Sequence, residues 1–358
     1  MHVVFAAGGT AGHVEPALTT AEALQRIDPT IGISFIGGKR GLERDLVPAR
    51  GFPLVMTTAD PLPRKLNSRA LVFPLHTVQG FREAKSHLRA SGADVVVGFG
   101  GYAAIPGYLA AWRCGVPLVI HEANSKAGFA NVLGAKFTSN VATVHPGALS
   151  PARRLALPVR PTITNLDRAT VRDEAREFWG LPPSAPVVLV FGGSQGARHL
   201  NEVIADSMPR FAESGVHVLH AVGKANELPS SSEYYHPVAY IERMDLAYAA
   251  ADLAVCRSGA MTCAELAAVG LPAVYVPLPV GNGEQAGNSR PIVEAGGGIQ
   301  CADADLTAEW LTSTVTSLVH DEDDLTQMSS AAASFGDRDA VQEMANWIIE
   351  VARQRQKG

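Results

Sequence analysis

Short apolar, β-branched stretches alternate along this chain with longer stretches in which apolar residues recur at helical spacing. Such alternation is typical of a parallel sheet whose strands are joined by crossover helices, because both faces of the strands are buried. The pattern predicts buried strands at residues 3–7, 31–36, 94–97 and 117–120, and again at 186–191, 216–222, 253–256 and 273–276. We therefore expect an α/β protein that repeats one construction in two halves.

The stretch at residues 151–167 separates the two halves, because it combines Pro151, Pro158 and Pro161 with weak periodicity. It predicts an interdomain link, with one domain at residues 1–159 and a second at residues 160–337. An amphipathic pattern at residues 339–354 predicts a final helix. We expect the segment 338–358 to pack back onto the first domain.

Each half opens with a glycine-rich turn between a predicted strand and a predicted helix. The turns read Gly8-Gly9-Thr10-Ala11-Gly12 and Gly192-Gly193-Ser194-Gln195-Gly196. Glycine lets the backbone approach a ligand closely, and the N-terminus of the following helix offers free N–H groups to a phosphate. Either turn alone is compatible with a simple tight connection, whereas the pair favours two ligand-binding domains of the same type.

Composition narrows the class of protein. Of 358 residues, 47% are hydrophobic and 18% are charged, which supports two cores and excludes a disordered chain. A net charge of −5 provides no global basic field for nucleic acid. The four cysteines lack the spacing of a zinc site or a disulfide framework. No apolar stretch approaches the ~20 residues of a membrane span, so we expect a protein that works inside the cell.

Dinucleotide, P-loop and metal sites are disfavoured by the residues near the turns. The first turn lacks G-x-G-x-x-G spacing, and the second predicted strand leads into Gly37-Gly38 without an acid for the ribose of NAD. Neither turn is followed by the Lys-Ser or Lys-Thr pair of an ATP-binding P-loop. Asp303-Ala304-Asp305 has the letters of a metal-binding pair but precedes a helical pattern. We expect a capping or surface turn there, and a metal-free mechanism.

Other polar groups follow predicted strands, where open α/β sheets bind ligands. They lie at residues 100–102 and 121–124 in the first half, and at 257–265 and 277–285 in the second. Glu265 is able to accept hydrogen bonds from ribose hydroxyls, and a solvated helix carboxylate is the alternative. His13 begins a helix, whose dipole keeps imidazole neutral as a general base requires, although most single histidines are structural.

Together these residues resemble the family-28 glycosyltransferases, from end to end of the chain. The most specific pieces are residues 8–13, 100–102, 192–197 and 257–265, in that order. The resemblance implies a GT-B fold, in which two Rossmann-like domains with parallel sheets face each other across a cleft. It also implies an inverting hexosyltransferase that moves GlcNAc from UDP-GlcNAc to the 4-hydroxyl of MurNAc in undecaprenyl-diphosphate-MurNAc-pentapeptide. This reaction converts lipid I to lipid II in peptidoglycan synthesis, and so serves cell wall biogenesis, cell shape and cell division.

Carried over position by position, the resemblance assigns residues to the substrates. His13 takes the position of the base, with Glu122 as a neighbouring carboxylate, and Gly100, Gly101 and Tyr102 would bind the acceptor. The donor would be bound by Thr10, Ala11, Gly12, Asn124, Arg160, Ser194, Gln195, Ile241, Ala260, Met261, Thr262, Glu265, Glu284 and Gln285. Among these, the Ile241 backbone would recognise uracil, Glu265 would bind the ribose, and Ser194 and Arg160 would face the diphosphate. Ala11, Ala123 and Glu284 depart from the family, which more often has glycine, glutamine and glutamine there.

A polyprenyl-linked acceptor lies in a membrane, and the chain has one segment suited to reach it. Residues 62–89 contain one acid, Glu83, and six basic residues: Arg64, Lys65, Arg69, Arg82, Lys85 and Arg89. A helix after Pro74 would place Leu75, Val78, Phe81 and Leu88 on one side, with Arg82, Lys85 and Arg89 interleaved. Such a face suits an anionic bilayer surface, and a core helix with snorkelling basic side chains is the alternative. We expect a peripheral protein on the cytoplasmic side of the cell membrane.

Two other functions remain open from the sequence. Another GT-B enzyme, such as a natural-product glycosyltransferase or a UDP-GlcNAc 2-epimerase, would use the same fold without a lipid acceptor. A UDP-sugar-binding subunit would bind UDP without turnover. In the favoured interpretation UDP-GlcNAc is the donor substrate, and no cofactor is required.

Overall fold

The computed structural model describes residues 1–61, 68–193 and 197–356, with only the backbone for residues 68–71 and 356. The chain divides into two compact units. Unit 1 comprises Met1–Arg160 and Asp339–Gly358, and unit 2 comprises Pro161–Arg338. These boundaries lie one residue beyond those drawn from the sequence.

Unit 1 is built on a parallel sheet. Its strands are β1 His2–Ala7, β2 Gly32–Gly38, β3 Leu54–Thr57, β4 Val95–Gly100, β5 Leu118–Glu122, β6 Val141–Thr143 and β7 Arg153–Arg154. Their order in the sheet is β3-β2-β1-β4-β5-β6-β7. The four predicted strands of this half are confirmed as β1, β2, β4 and β5. The sequence did not predict β3, β6 and β7, which contain two to four residues.

Helices cover this sheet. They are α1 Ala11–Ile27, α2 Glu43–Ala49, α3 Ser68–Ala90, α4 Ile105–Cys114 and α5 Phe129–Gly134, with a 3-10 turn at Tyr102–Ala104. α3 starts before Pro74 and continues through it, whereas the sequence placed its start after that proline. Leu88 is 2% exposed and packs in the core, so its expected place on an exposed face of this helix is wrong.

Unit 2 repeats the construction. Its strands are β8 Val187–Phe191, β9 His217–Ala221, β10 Tyr235–Val238, β11 Leu253–Cys256, β12 Ala273–Tyr275 and β13 Gly298–Gln300, in the parallel order β10-β9-β8-β11-β12-β13. The predicted strands β8, β9, β11 and β12 are confirmed. The helices are α6 Pro161–Thr164, α7 Arg168–Trp179, α8 Arg198–Glu213, α9 Met244–Ala250, α10 Ala260–Val269, α11 Glu284–Glu294, α12 Ala308–Val319 and α13 Glu322–Ala333.

The final helix, α14 Ala340–Gln356, belongs to unit 1 and packs against α1. Its buried side chains, including Met344 and Ile348, share one hydrophobic core with Phe5 and Leu18. Within the described ranges, no helix has both the length and the apolar character needed to cross a bilayer.

The strand orders define where ligands are expected. The order reverses between β1 and β4 in unit 1, and between β8 and β11 in unit 2. Open α/β sheets bind ligands outside the carboxyl ends of the strands at such switch points. The turn at residues 8–13 therefore lies beside residues 100–102. In unit 2, residues 192–193 lie in the same way beside residues 257–260.

Candidate functional site

The turn after β1 places His13 on the first turn of α1. Thr10 is the N-cap residue, but its hydroxyl makes no capping hydrogen bond and instead lies 3.0 Å from Nδ1 of His13. Ala11 and Gly12 follow, half-buried and exposed respectively. The hydroxyl orients the imidazole through one ring nitrogen, which makes Nε2 the candidate atom for proton transfer.

Gly100 and Gly101 lie directly against this turn. Both have positive φ, 90° and 80°. A Cβ atom on Gly101 would lie 1.9 Å from the carbonyl oxygen of Gly8, and one on Gly100 would lie 3.3 Å from Cδ2 of His13. Glycine is required at both positions by backbone conformation and by space. The predicted acceptor residues thus lie beside the predicted base, and Tyr102 follows them in the 3-10 turn.

Glu122 ends β5 and is 2% exposed. Its Oε1 accepts hydrogen bonds from the backbone N–H and the side-chain amide of Asn124, at 2.9 and 3.1 Å. Its Oε2 accepts from the Gly128 N–H at 3.0 Å and from Nδ2 of Asn131 at 2.9 Å. Both oxygens are engaged by donors, which suits this carboxylate to orient its loop rather than to remove a proton from a substrate.

A buried network joins Glu122 to the Gly100 turn. Asn131, which donates to Glu122, accepts a hydrogen bond from the hydroxyl of Tyr108 at 2.8 Å. That hydroxyl in turn accepts from the N–H of Gly100 at 3.1 Å. Burial raises the pKa of Tyr108, so the hydroxyl stays a donor. Sequence reasoning missed both residues, because each lies inside a helix with no local signal of a polar partner.

The electrostatic setting of His13 favours a neutral imidazole. Burial lowers the pKa of His13, while the carboxylates of Glu122 and Glu43 act in the opposite direction. The net shift is downward from the ordinary value of 6.5, so the ring carries a free lone pair at pH 7. From the sequence, the helix dipole was expected to keep the imidazole neutral, whereas burial is the largest cause in the structure.

In unit 2, α10 carries the residues expected to bind the nucleotide. Ala260, Met261 and Thr262 form its half-exposed first turn, after an N-cap residue, Gly259, that has no side chain to cap the helix. Glu265 is 7% exposed, and its Oε2 accepts a hydrogen bond from the Tyr248 hydroxyl at 2.8 Å. This burial contradicts the alternative of a solvated carboxylate.

Glu284 and Gln285 begin α11 after an exposed loop at residues 278–283. Oε1 of Gln285 accepts from the N–H of Leu278 at 3.0 Å. The Glu284 carboxylate accepts from the N–H of Asn282 at 3.1 Å, and the Glu284 N–H donates to the Asn282 side chain at 3.1 Å. Both predicted donor-binding side chains therefore also shape the loop that precedes them.

The other predicted donor residues are spread over the chain. Ile241 lies between β10 and α9 with its side chain 3% exposed, an arrangement compatible with recognition through its backbone. Arg160 is the last residue of unit 1 before unit 2 begins, and it is half-buried. Ser194 and Gln195 lie outside the described residues.

Asp303 and Asp305 form a 3-10 turn before α12, as the sequence predicted. Oδ1 of Asp303 lies 2.5 Å from Nη1 of Arg257, and its other oxygen lies 3.3 Å from Nδ1 of His199. The carboxylate is therefore paired with a buried guanidinium. Across the part of the chain that the structure describes, no three His, Cys, Asp or Glu side chains are grouped as metal ligands.

Comparison with known families identifies both halves. Residues 3–143 match the glycosyltransferase family 28 N-terminal domain, and residues 187–344 match the glycosyltransferase family 28 C-terminal domain. A solved structure, that of Acinetobacter baumannii MurG, superimposes with a TM-score of 0.77 at 29% identity and covers 98% of this chain and 99% of that one. The calicheamicin glycosyltransferase CalG4 superimposes with a TM-score of 0.68 at 20% identity, which supports the fold alone.

Relatives with assigned activity span the whole chain. The UDP-N-acetylglucosamine--N-acetylmuramyl-(pentapeptide) pyrophosphoryl-undecaprenol N-acetylglucosamine transferase of Streptomyces collinus is 52% identical over 361 residues, covering 99% of this chain and 100% of that protein. The protein of the same name from Mycobacterium sp. (strain KMS) is 51% identical, covering 99% of this chain and 97% of that protein. The two parallel-sheet units are those of a GT-B glycosyltransferase, and the chain belongs to glycosyltransferase family 28.

Proposed function

We propose that this protein is an inverting glycosyltransferase that moves GlcNAc from UDP-GlcNAc to the MurNAc 4-hydroxyl of undecaprenyl-diphosphate-MurNAc-pentapeptide. The observation that carries the proposal is the 51–52% identity, over essentially the full length, to transferases named for this reaction. The residues assigned below would supply the groups that such a reaction needs.

In this mechanism His13 is the general base. A neutral imidazole with its proton on Nδ1, donated to the Thr10 hydroxyl, presents a basic Nε2 to the acceptor hydroxyl. The deprotonated oxygen attacks the anomeric carbon as the bond to UDP breaks, which inverts the configuration in one displacement. Glu122 would stabilise the imidazolium that forms, since it is one of the carboxylates that raise the pKa of His13.

We assign the donor to unit 2 and the acceptor to unit 1. The uncapped first turn of α10 supplies N–H groups and positive potential for the UDP that departs. Glu265, already oriented by Tyr248, would accept hydrogen bonds from the ribose. Ala260, Asn124 and Gln285 would contact the transferred sugar, and Arg160 the diphosphate.

A transfer assay with labelled UDP-GlcNAc and a short-chain lipid acceptor tests the proposal. We expect a disaccharide product that requires both substrates. A changed nucleotide sugar formed without acceptor would indicate an epimerase, and turnover of soluble aglycones alone would indicate a natural-product glycosyltransferase. Binding of UDP without any turnover would indicate a binding subunit, and each of these three results contradicts the proposal.

The rate is expected to depend on pH through His13. Burial holds the pKa of His13 below its ordinary value of 6.5, so the base form persists into mildly acidic solution. As the pH falls through this lowered pKa, the imidazole becomes protonated and kcat is lost. A pH profile of kcat measures this, and an acid limb centred above pH 7 would contradict the assignment.

Transfer is expected to persist in excess EDTA. The Asp303 carboxylate, which has the sequence pattern of a metal ligand, is paired with Arg257, and the departing diphosphate is assigned to N–H groups and Arg160. Activity is measured after chelation and again after adding Mn²⁺. A complete loss that Mn²⁺ restores would overturn this expectation.

We also propose that unit 1 docks on an anionic membrane through a docking face formed by α3, α4 and α5. α3 packs against α4, and α4 packs against α5. Large apolar side chains on these helices are exposed: Leu75 (70%), Val78 (47%), Trp112 (58%), Phe129 (57%) and Val132 (41%). Large exposed apolar side chains on helices that pack against one another favour an interaction surface.

Basic side chains accompany the apolar ones on the docking face. On α3, the spacing of three or four residues places Leu75, Val78, Arg82, Lys85 and Arg89 on one side of the helix. Arg113, in the last turn of α4, and Lys136, two residues after α5, are also exposed. Mixed apolar and cationic character suits an anionic bilayer surface, where a polyprenyl-linked acceptor lies. Arg64 and Lys65 of the same basic stretch lie outside the described residues.

A further inference from the structure

We infer that Glu43 is a positioning residue for the transfer, a buried carboxylate that holds the glycine turn carrying Thr10 and His13. The inference rests on the function proposed above. Glu43 opens α2 and is 0% exposed. Nothing in the sequence marks it, because it follows a loop far from the turn that it contacts.

The Glu43 carboxylate joins two strand ends of unit 1. Its Oε2 accepts a hydrogen bond from the N–H of Gly9 at 2.8 Å, and its Oε1 accepts from the N–H of Gly38 at 2.7 Å. Gly9 belongs to the turn after β1, and Gly38 is the last residue of β2. One side chain therefore fixes the glycine turn relative to the neighbouring strand.

Three glycines leave space for this carboxylate. A Cβ atom would lie 2.4 Å from Oε1 of Glu43 if placed on Gly8, 2.5 Å from its Cγ if placed on Gly37, and 2.0 Å from its Oε2 if placed on Gly41. Burying a carboxylate is unfavourable unless donors surround it, and an apolar side chain would fill the same space without that penalty. The cavity is thus shaped around a charged group whose role is to hold the turn.

The position of the turn determines the position of the base. Gly9 precedes Thr10, whose hydroxyl contacts Nδ1 of His13, and the carbonyl of Gly8 closely approaches Gly101. A shift of the turn would therefore move the imidazole and the predicted acceptor loop together. Misplacement by about 1 Å is enough to lower a rate by roughly 10²-fold.

Glu43 also acts on His13 through its charge. The carboxylates facing His13 are Glu43 from α2 and Glu122 from β5, and both raise its pKa against the effect of burial. On α1 itself, Glu15 is paired with Arg50. Tyr102, from the 3-10 turn, also faces Glu43. Burial is the largest cause that raises the pKa of the Tyr102 hydroxyl, and the charge of Glu43 raises it further. Arg40 lowers that pKa and Asp60 raises it.

The first test is Glu43→Gln, which keeps the shape but replaces one oxygen by an NH2 group that faces a backbone N–H. We expect kcat to fall roughly 10- to 100-fold. The acid limb of the kcat profile should move to lower pH, because one of the charges that raise the pKa of His13 is removed. The affinity for UDP, assigned to unit 2, should stay within about twofold.

Gly41→Ala provides a second variant that keeps the charge. Its Cβ would lie 2.0 Å from Oε2 of Glu43, so the carboxylate must leave Gly9 or Gly38. We expect a lower kcat with less movement of the acid limb than in Glu43→Gln. Glu22→Gln is the matched control, because Glu22 lies on α1 and pairs with Arg50 at the surface, and wild-type kinetics are expected.

The outcomes separate this inference from the proposed function. If the unmodified protein transfers GlcNAc but Glu43→Gln keeps its kcat and pH profile, Glu43 is not a positioning residue. If Glu43→Gln lowers kcat by the same factor at every pH and its acid limb does not move, Glu43 has a merely structural role. That result would also overturn the inference. Absence of transfer by the unmodified protein would instead reject the function itself. If Glu43→Gln does not fold, a Gly41→Ala variant that binds UDP and has wild-type kcat contradicts the inference.

Discussion

Replacing His13 by alanine is expected to lower kcat by roughly 10²–10⁴-fold, the range associated with loss of a general base. The imidazole is held by Thr10 at 3.0 Å and lies beside the Gly100 turn, the position that the proposed mechanism gives to the base. The affinity for UDP should change little, since UDP is assigned to unit 2. Steady-state kinetics and calorimetric titration of UDP measure the two effects.

A matched control for this variant is His320→Ala. His320 is the exposed C-cap residue of α12 in unit 2, and its Nδ1 lies 2.9 Å from the carbonyl of Thr316. Wild-type kinetics are expected for the control. If His13→Ala also keeps near-normal kcat, His13 is structural, and the proton must be removed by another group. Glu122→Gln would then be the next variant to measure, despite the donors that occupy its oxygens.

Reversing three charges on the docking face is expected to release the protein from anionic vesicles. Each Lys or Arg near an anionic surface contributes about 1 kcal/mol, an attraction that salt screens. In the triple variant, Arg82, Lys85 and Arg89 are replaced by Glu, so attraction becomes repulsion along one side of α3. Co-sedimentation with vesicles containing anionic lipid measures binding. Activity on a long-chain acceptor in membranes should fall, whereas activity on a short, soluble analogue should not.

The control carries the same change of charge at exposed residues elsewhere, with Arg26, Arg210 and Arg353 replaced by Glu. Vesicle binding should persist in this control. A second variant, Leu75→Ser with Trp112→Ser, removes apolar side chains that are 70% and 58% exposed. This double variant should bind vesicles more weakly even at high salt, because salt does not screen the insertion of apolar side chains into a bilayer. Unchanged binding in the charge-reversed variant would show that α3 is not the docking surface.

The fold class followed from patterns that are local in sequence. Strands such as β1 and β8 are buried on both faces, so they read as continuous apolar runs, and each is followed by glycines that a ligand-binding turn requires. The strands β3, β6, β7, β10 and β13, which contain two to four residues and lie toward the edges of the sheets, were not predicted. Leu88 was misplaced because helical spacing alone does not show which side of a helix meets the core.

The sequence by itself determined the α/β class, the two-unit construction, the glycine turns and the candidate base, because each is written in adjacent or regularly spaced residues. Only the tertiary structure placed Gly100 beside His13 and linked Glu122 through Asn131 to Tyr108. It also brought the Glu43 carboxylate to the glycine turn after β1. These contacts join residues 9 to 87 positions apart, and their partners are selected by sheet order and by the space that glycines leave. These partners cannot be read from a pattern along the chain. They are fixed only when the strands pair and the side chains between them pack together.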